Sequence, residues 1–154
     1  MSNPRLRYVQ LAPEGFEKMR ALEHYLNTET GLETSLQGFV RLLASLMNRC
    51  EYCINLHTAE LKKLNETSER IAGLAEWRER GIYTERERAA LEWTEAVTNI
   101  QEGHAPDAVY EIVRAHFSEA ETVNLTLTIT TINAWNRLAI SLGSHSGNGS
   151  GVQS

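Results

Sequence analysis

Apolar residues recur at helical spacing along most of this 154-residue chain. The first such stretch, residues 14–25, follows Pro13 and ends in the polar segment 27–31. Residues 36–46 are apolar enough to form a buried helix, which would lead directly into a third helix over residues 50–64. The first half of the chain therefore predicts three successive helices.

Helix start signals appear in the second half. Thr84 with Glu87, and Ser118 with Glu121, have the spacing of capping boxes, in which a hydroxyl and a carboxylate bond the free N–H groups of a helix start. Pro106 suits the first turn of a shorter helix. The helices that these signals predict span residues 85–100, 106–117 and 118–142.

One segment, residues 123–129, alternates apolar with polar or β-branched residues, which by propensity alone is typical of a strand. A helix is still expected there, because a capping box precedes the segment, helical spacing continues after it, and the chain offers no second strand. We therefore predict an all-α, single-domain bundle of about six to seven helices over residues 1–142. The Gly/Ser-rich tail, residues 143–154, is expected to be disordered.

Composition and charge narrow the class of protein. A chain of 154 residues with 42% hydrophobic residues suits one domain with a substantial core. The net charge of -5 arises from interspersed acids and bases, so nucleic acid is not an expected partner. The sequence has neither a signal-peptide pattern nor an apolar run of about 18 residues, so no membrane association is expected. With two cysteines, a reducing cytoplasm is the expected compartment.

Both cysteines lie in one short motif, Cys50-x-x-Cys53-x-x-x-His57. At about 100° per residue, the three side chains fall within roughly 60° of one another on a helix. Residues three apart have Cβ atoms about 5 to 6 Å apart, close enough for a disulfide. If a helix starts near Cys50, its N–H groups and Arg49 would stabilise a thiolate, and His57 would accept its proton.

Two other interpretations of the motif stay open. A structural zinc site needs four ligands, so one of His24, His104, His116 or His145 would have to complete the set. Alternatively, both cysteines are inert core residues, because the same spacing occurs on an ordinary apolar helix face. Redox chemistry is the favoured interpretation, and no metal or cofactor is expected.

The sequence around the motif resembles the carboxymuconolactone decarboxylase superfamily, and within it the alkylhydroperoxidase D-like branch. The resemblance runs from about residue 36 to residue 142, through the segments 41–57, 74–78, 84–93 and 132–139. It implies an all-α fold that assembles into homotrimers or homohexamers. It also implies reduction of hydroperoxides, in which Cys53 attacks the peroxide, Cys50 resolves the sulfenic acid into a disulfide, and His57 moves protons. A dithiol reductant, of lipoyl or thioredoxin-like type, would restore the thiols.

The chain departs from this family pattern at two positions. Peroxidase members carry a glutamate twelve residues before the first cysteine, where this chain has Gly38, and they usually carry glycine at the position of Arg49. Glu60 lies one turn after His57 on a similar face of the helix, and one interpretation is that it orients the imidazole. The favoured interpretation of Glu60, however, is an exposed side chain paired with Lys63 or with solvent.

Other conspicuous residues are assigned to structure. Trp77, Trp93 and Trp135 are expected in the core or at a subunit interface, and His104 in a loop. Hydrogen bonds between helices are the favoured role of Asn133, Asn136 and Arg137. Two alternative functions remain: a carboxymuconolactone decarboxylase-like lyase, or a non-catalytic protein whose oligomeric state responds to disulfide formation.

Overall fold

The computed structural model describes residues 4–143, and the regular secondary structure of this range is helical throughout. Its eight α-helices are α1 (Tyr8–Leu11), α2 (Pro13–Thr28), α3 (Thr34–Met47), α4 (Glu51–Lys63), α5 (Ser68–Ala72), α6 (Glu85–Thr98), α7 (Asp107–His116) and α8 (Glu119–Leu142). The predicted all-α fold is confirmed, and the six long predicted helices correspond to α2, α3, α4, α6, α7 and α8. The short helices α1 and α5 were not predicted.

The predicted helix starts are present as capped N-termini. Thr84 accepts a hydrogen bond from the backbone N–H of Glu87, whose carboxylate accepts one from the backbone of Thr84. Ser118 and Glu121 make the same reciprocal pair at the start of α8. Pro106 immediately precedes α7. Local sequence therefore determines where these helices begin.

The strand-like segment 123–129 lies inside α8. Its threonines tolerate the helix because their hydroxyls donate to carbonyls one turn earlier, as Thr126 does to Thr122 and Thr128 to Asn124. Leu125 and Ile129 are four residues apart and both are fully buried. The apolar residues thus follow the helical period as well as the period of a strand.

Helix α3 is the centre of the bundle and packs against α4, α6 and α8. Ten of its fourteen residues are buried, which agrees with its predicted position in the core. The three tryptophans are also buried, Trp77 against the α3–α4 side and Trp93 against α8, with Trp135 packed against Phe16 of α2. This arrangement brings the start of α4 and the last turns of α8 together.

Of the tail predicted over residues 143–154, only Gly143 belongs to the described range, so that prediction falls almost entirely outside it. Within residues 4–143, none of the helices has the length and apolar character that a membrane span requires.

A buried disulfide and histidine at the start of helix α4

A tight turn connects α3 to α4 and places the first cysteine. Cys50 is the N-cap residue of α4, and its backbone N–H donates to the carbonyl of Ser45 at 3.0 Å. The preceding residue, Arg49, has a φ of 53°, in the left-handed region that favours glycine. This conformation explains why glycine is usual at that position in the family that the sequence resembles.

The two cysteines lie close enough to bond. Their Cα atoms are 5.3 Å apart, and their sulfur atoms are joined as a disulfide. Each cysteine is 2% exposed, and the pair packs against Ala139 of α8 with Tyr52 and Ile140 beside it. The sulfurs therefore lie at the N-terminus of α4, where helix N–H groups favour a negative charge, and under a layer of side chains.

His57 lies one turn after Cys53 and is 3% exposed. Its Nδ1 atom is 2.9 Å from Oε2 of Glu60, whose side chain is about one-third exposed. The favoured sequence interpretation, which paired Glu60 with Lys63 or solvent, is therefore wrong. Cys53, His57 and Glu60 thus follow one another at helical spacing along α4, with Cys50 at its N-cap.

Two tyrosines lie beside this group. Burial, together with the charge of Glu60, raises the pKa of Tyr52 above its usual range. Burial, and then the proximity of Tyr52, raise the pKa of Tyr8 to about 12. Both phenols are therefore neutral at physiological pH. Tyr8 belongs to α1 and packs on Phe16, so the N-terminal segment borders the site.

Asparagine side chains connect the α3–α4 turn to α8 through hydrogen bonds. The amide of Asn48 donates to Oδ1 of Asn133 and to Oδ1 of Asn136, both at 2.9 Å, and Asn136 donates to Oγ of Ser45 at 3.1 Å. The predicted hydrogen bonds between helices are confirmed for Asn133 and Asn136, whereas Arg137 donates within α8, to the carbonyl and Oδ1 of Asn133. Sequence reasoning missed Ser45 and Asn48, although two polar residues at the end of an apolar helix were a usable signal.

Gly38 is a position where a side chain of α4 packs directly against the backbone of α3. A Cβ atom at this position would lie 2.6 Å from Cδ2 of Leu61, which is fully buried. A glutamate at position 38 would therefore require Leu61 to move. In this chain a leucine from α4 occupies the space beside the position where peroxidase members of the family carry their carboxylate.

The alternative of a metal site finds no ligand set in the described part of the chain. Over residues 4–143, no group of three or more His, Cys, Asp or Glu side chains is arranged to hold a metal ion. His104 lies in the loop before α7, as predicted, with a φ of 55°. His145 lies outside the described residues.

Comparison with known proteins identifies the family of this chain. The sequence profile of the carboxymuconolactone decarboxylase family matches residues 13–96, which include both cysteines and His57. The chain belongs to this family. The Bacillus subtilis (strain 168) family relative YdfG, named as uncharacterized, is 37% identical over 139 residues, which are 90% of this chain and 94% of YdfG.

Solved structures place the chain in the alkylhydroperoxidase D-like branch of the carboxymuconolactone decarboxylase family. ATU0492 from Agrobacterium tumefaciens, titled a protein of unknown function and a candidate antioxidant defence protein AhpD, is 40% identical, with a TM-score of 0.87, over 90% of this chain and 94% of its own. The debrominase Bmp8 shares the fold at 18% identity, with a TM-score of 0.77, over 86% of this chain and 71% of its own.

Proposed function

We propose that this protein reduces hydroperoxides through a dithiol/disulfide cycle of Cys50 and Cys53. The observation that carries the proposal is the position of two bonding sulfurs at a helix N-terminus, one turn before a buried histidine that contacts a carboxylate. The likeness to ATU0492 supports an antioxidant role. A dithiol such as a lipoyl group or a thioredoxin-like protein is the proposed electron donor, and a homotrimer or homohexamer the proposed assembly.

In the first step, the Cys53 thiolate attacks the terminal oxygen of the hydroperoxide. The O–O bond breaks, a sulfenic acid forms on Cys53, and the alkoxide leaves as an alcohol after it receives a proton from His57. Cys53 is the proposed nucleophile because His57 lies one helical turn after it.

In the second step, the Cys50 sulfur attacks the sulfenic sulfur, the disulfide forms, and water is released. An external dithiol then exchanges with the disulfide, so that the donor is oxidised and both thiols are restored. Each turnover consumes one hydroperoxide and one dithiol. Rapid resolution by Cys50 protects Cys53 from irreversible oxidation.

Steady-state consumption of cumene hydroperoxide with a dithiol donor tests the proposal. Replacement Cys53→Ser should abolish turnover, because no thiolate remains to attack the O–O bond. The matched variant Cys50→Ser should still form one sulfenic acid per chain, which dimedone traps, but should not turn over. Unchanged turnover in Cys53→Ser would reject the assigned nucleophile.

Gel filtration of the oxidised and the reduced protein separates catalysis from a redox-controlled assembly. A catalyst consumes many equivalents of peroxide whether or not its elution volume changes. A switch would take up about one equivalent per chain and change its elution volume. That second result would replace the enzyme with a redox-responsive oligomer.

A further inference from the structure

We propose that Glu60 is a positioning residue that orients His57 and stabilises its protonated ring during proton transfer from Cys53. This inference rests on the proposed thiol chemistry. Glu60 would act on Cys53 through His57 rather than by touching the sulfur itself. It starts from the 2.9 Å contact between Nδ1 of His57 and Oε2 of Glu60.

The contact determines which ring nitrogen is available to the sulfur. With Nδ1 bonded to the carboxylate, Nε2 is the nitrogen left to exchange a proton. Cys53, His57 and Glu60 are spaced by four and then three residues, so they follow one stripe of α4. The order along this stripe is nucleophile, base and carboxylate, the arrangement that activates nucleophiles in other enzymes.

Burial strengthens the effect of the carboxylate. His57 is almost fully buried, so water contributes little to the stability of a charged imidazolium. A hydrogen bond from that ring to a carboxylate is charge-assisted and is stronger in such surroundings. Glu60 therefore favours the thiolate–imidazolium pair over the neutral thiol and imidazole.

The neighbouring groups assign this role to Glu60. Tyr52 is neutral, because burial and the charge of Glu60 raise its pKa. Helix α8 presents the apolar residues Ala139 and Ile140 to the disulfide. Helix α3 approaches α4 through Gly38, which has no side chain to offer. Of the contacts described around His57, the carboxylate contact comes from Glu60.

The direction in which the reactivity of the thiol changes when Glu60 loses its charge distinguishes this role from the direct effect of a nearby negative charge. Removing a negative charge near a thiol should by itself favour the thiolate and speed its reactions. Removing the charge of Glu60 should do the opposite, because it destabilises the imidazolium that accompanies the thiolate. Glu51, exposed in the first turn of α4, is a matched control that carries the same charge on the same helix.

Alkylation of the reduced protein by iodoacetamide measures thiolate reactivity without peroxide. In a Cys50→Ser background, in which Cys53 is the remaining thiol, Glu60→Gln should slow alkylation at pH 7 about tenfold, the effect of about one pKa unit. Glu51→Gln should leave the rate unchanged or raise it. Circular dichroism and thermal unfolding should show that both variants fold like their parent.

A double-mutant cycle tests whether Glu60 acts through His57. In a His57→Asn background, Glu60→Gln should have no further effect on the alkylation rate. An unchanged or faster rate for Glu60→Gln alone, or an equal slowing in the His57→Asn background, would overturn the inference. Because the assay contains no peroxide, a protein without peroxidase activity still gives a valid result.

Discussion

The backbone at Arg49 is the residue-scale feature that most directly shapes the thiol site. Its φ of 53° turns the chain from α3 into α4 and leaves Cys50 at the N-cap. A residue with a Cβ adopts this conformation at a cost of about 1 to 2 kcal/mol. The family preference for glycine at this position follows from that cost.

Replacement Arg49→Gly should raise the free energy of unfolding by about 1 kcal/mol, because glycine adopts the left-handed conformation without strain. The Arg49 side chain is exposed, so its removal loses little packing. Urea unfolding of the parent and the variant measures the change.

Asn65 provides the matched control, since its φ is 62° and it also follows a helix. Asparagine tolerates this conformation better than arginine does, so Asn65→Gly should gain only a few tenths of a kcal/mol. Equal gains at both positions, or a loss at Arg49, would contradict the strain argument.

Sequence spacing was sufficient to predict that Cys50, Cys53 and His57 share a helix face. It was insufficient for Glu60, because a glutamate three residues from His57 and three from Lys63 has helical spacing to both. The burial of His57 makes a contact with its ring more favourable than a solvated contact with lysine. Burial depends on how α4 packs, which spacing alone does not reveal.

At the scale of elements, helices with a clear start signal were predicted most accurately. Helices α6 and α8 begin at the residues that their capping boxes indicate. The short helices α1 and α5 contain four and five residues, too few to show a 3.6-residue repeat. Packing and turns hold such elements in place, so their own sequence carries little signal.

The close contact of α3 with α4 gives a test at this scale. Replacement Gly38→Ala should lower the free energy of unfolding by about 1 kcal/mol. The added Cβ would lie 2.6 Å from buried Leu61, and overpacking of about 1 to 3 kcal/mol exceeds the helix propensity that alanine gains. Chemical denaturation of the purified variant measures the loss.

Gly15 in α2 is the matched control, because a Cβ there would meet nothing within 4 Å. Gly15→Ala should therefore stabilise the protein, by about 0.5 kcal/mol, through helix propensity alone. If Gly38→Ala stabilises the protein as much as Gly15→Ala does, the two helices are farther apart than described.

At the scale of the whole molecule, a buried ion pair joins the first long helix to the central one. Nη2 of Arg41 in α3 lies 3.1 Å from Oε2 of Glu23 in α2, and both side chains are almost fully buried. The same Nη2 donates to Oε1 of Gln37. The sequence did not predict this pair, because its members are eighteen positions apart and only tertiary packing brings them together.

Replacement Arg41→Met should destabilise the protein by about 3 to 5 kcal/mol, because it leaves the carboxylate of Glu23 buried without its partner. The double replacement Glu23→Leu with Arg41→Met should recover most of the loss, since it removes both charges. Urea unfolding of the three proteins measures the two differences. A double variant as unstable as Arg41→Met would mean that packing, rather than the unpaired charge, dominates.

The burial of the disulfide also limits how a reductant in solution can reach the two sulfur atoms. Since each cysteine is 2% exposed, a reductant must wait until the side chains beside the pair move apart. At high reductant concentration, the rate of disulfide reduction equals the rate of this opening. Chemically different thiols should therefore give the same maximal rate of reduction. The maximal rate of reduction should therefore measure how often the site opens, rather than how strongly reducing the thiol is.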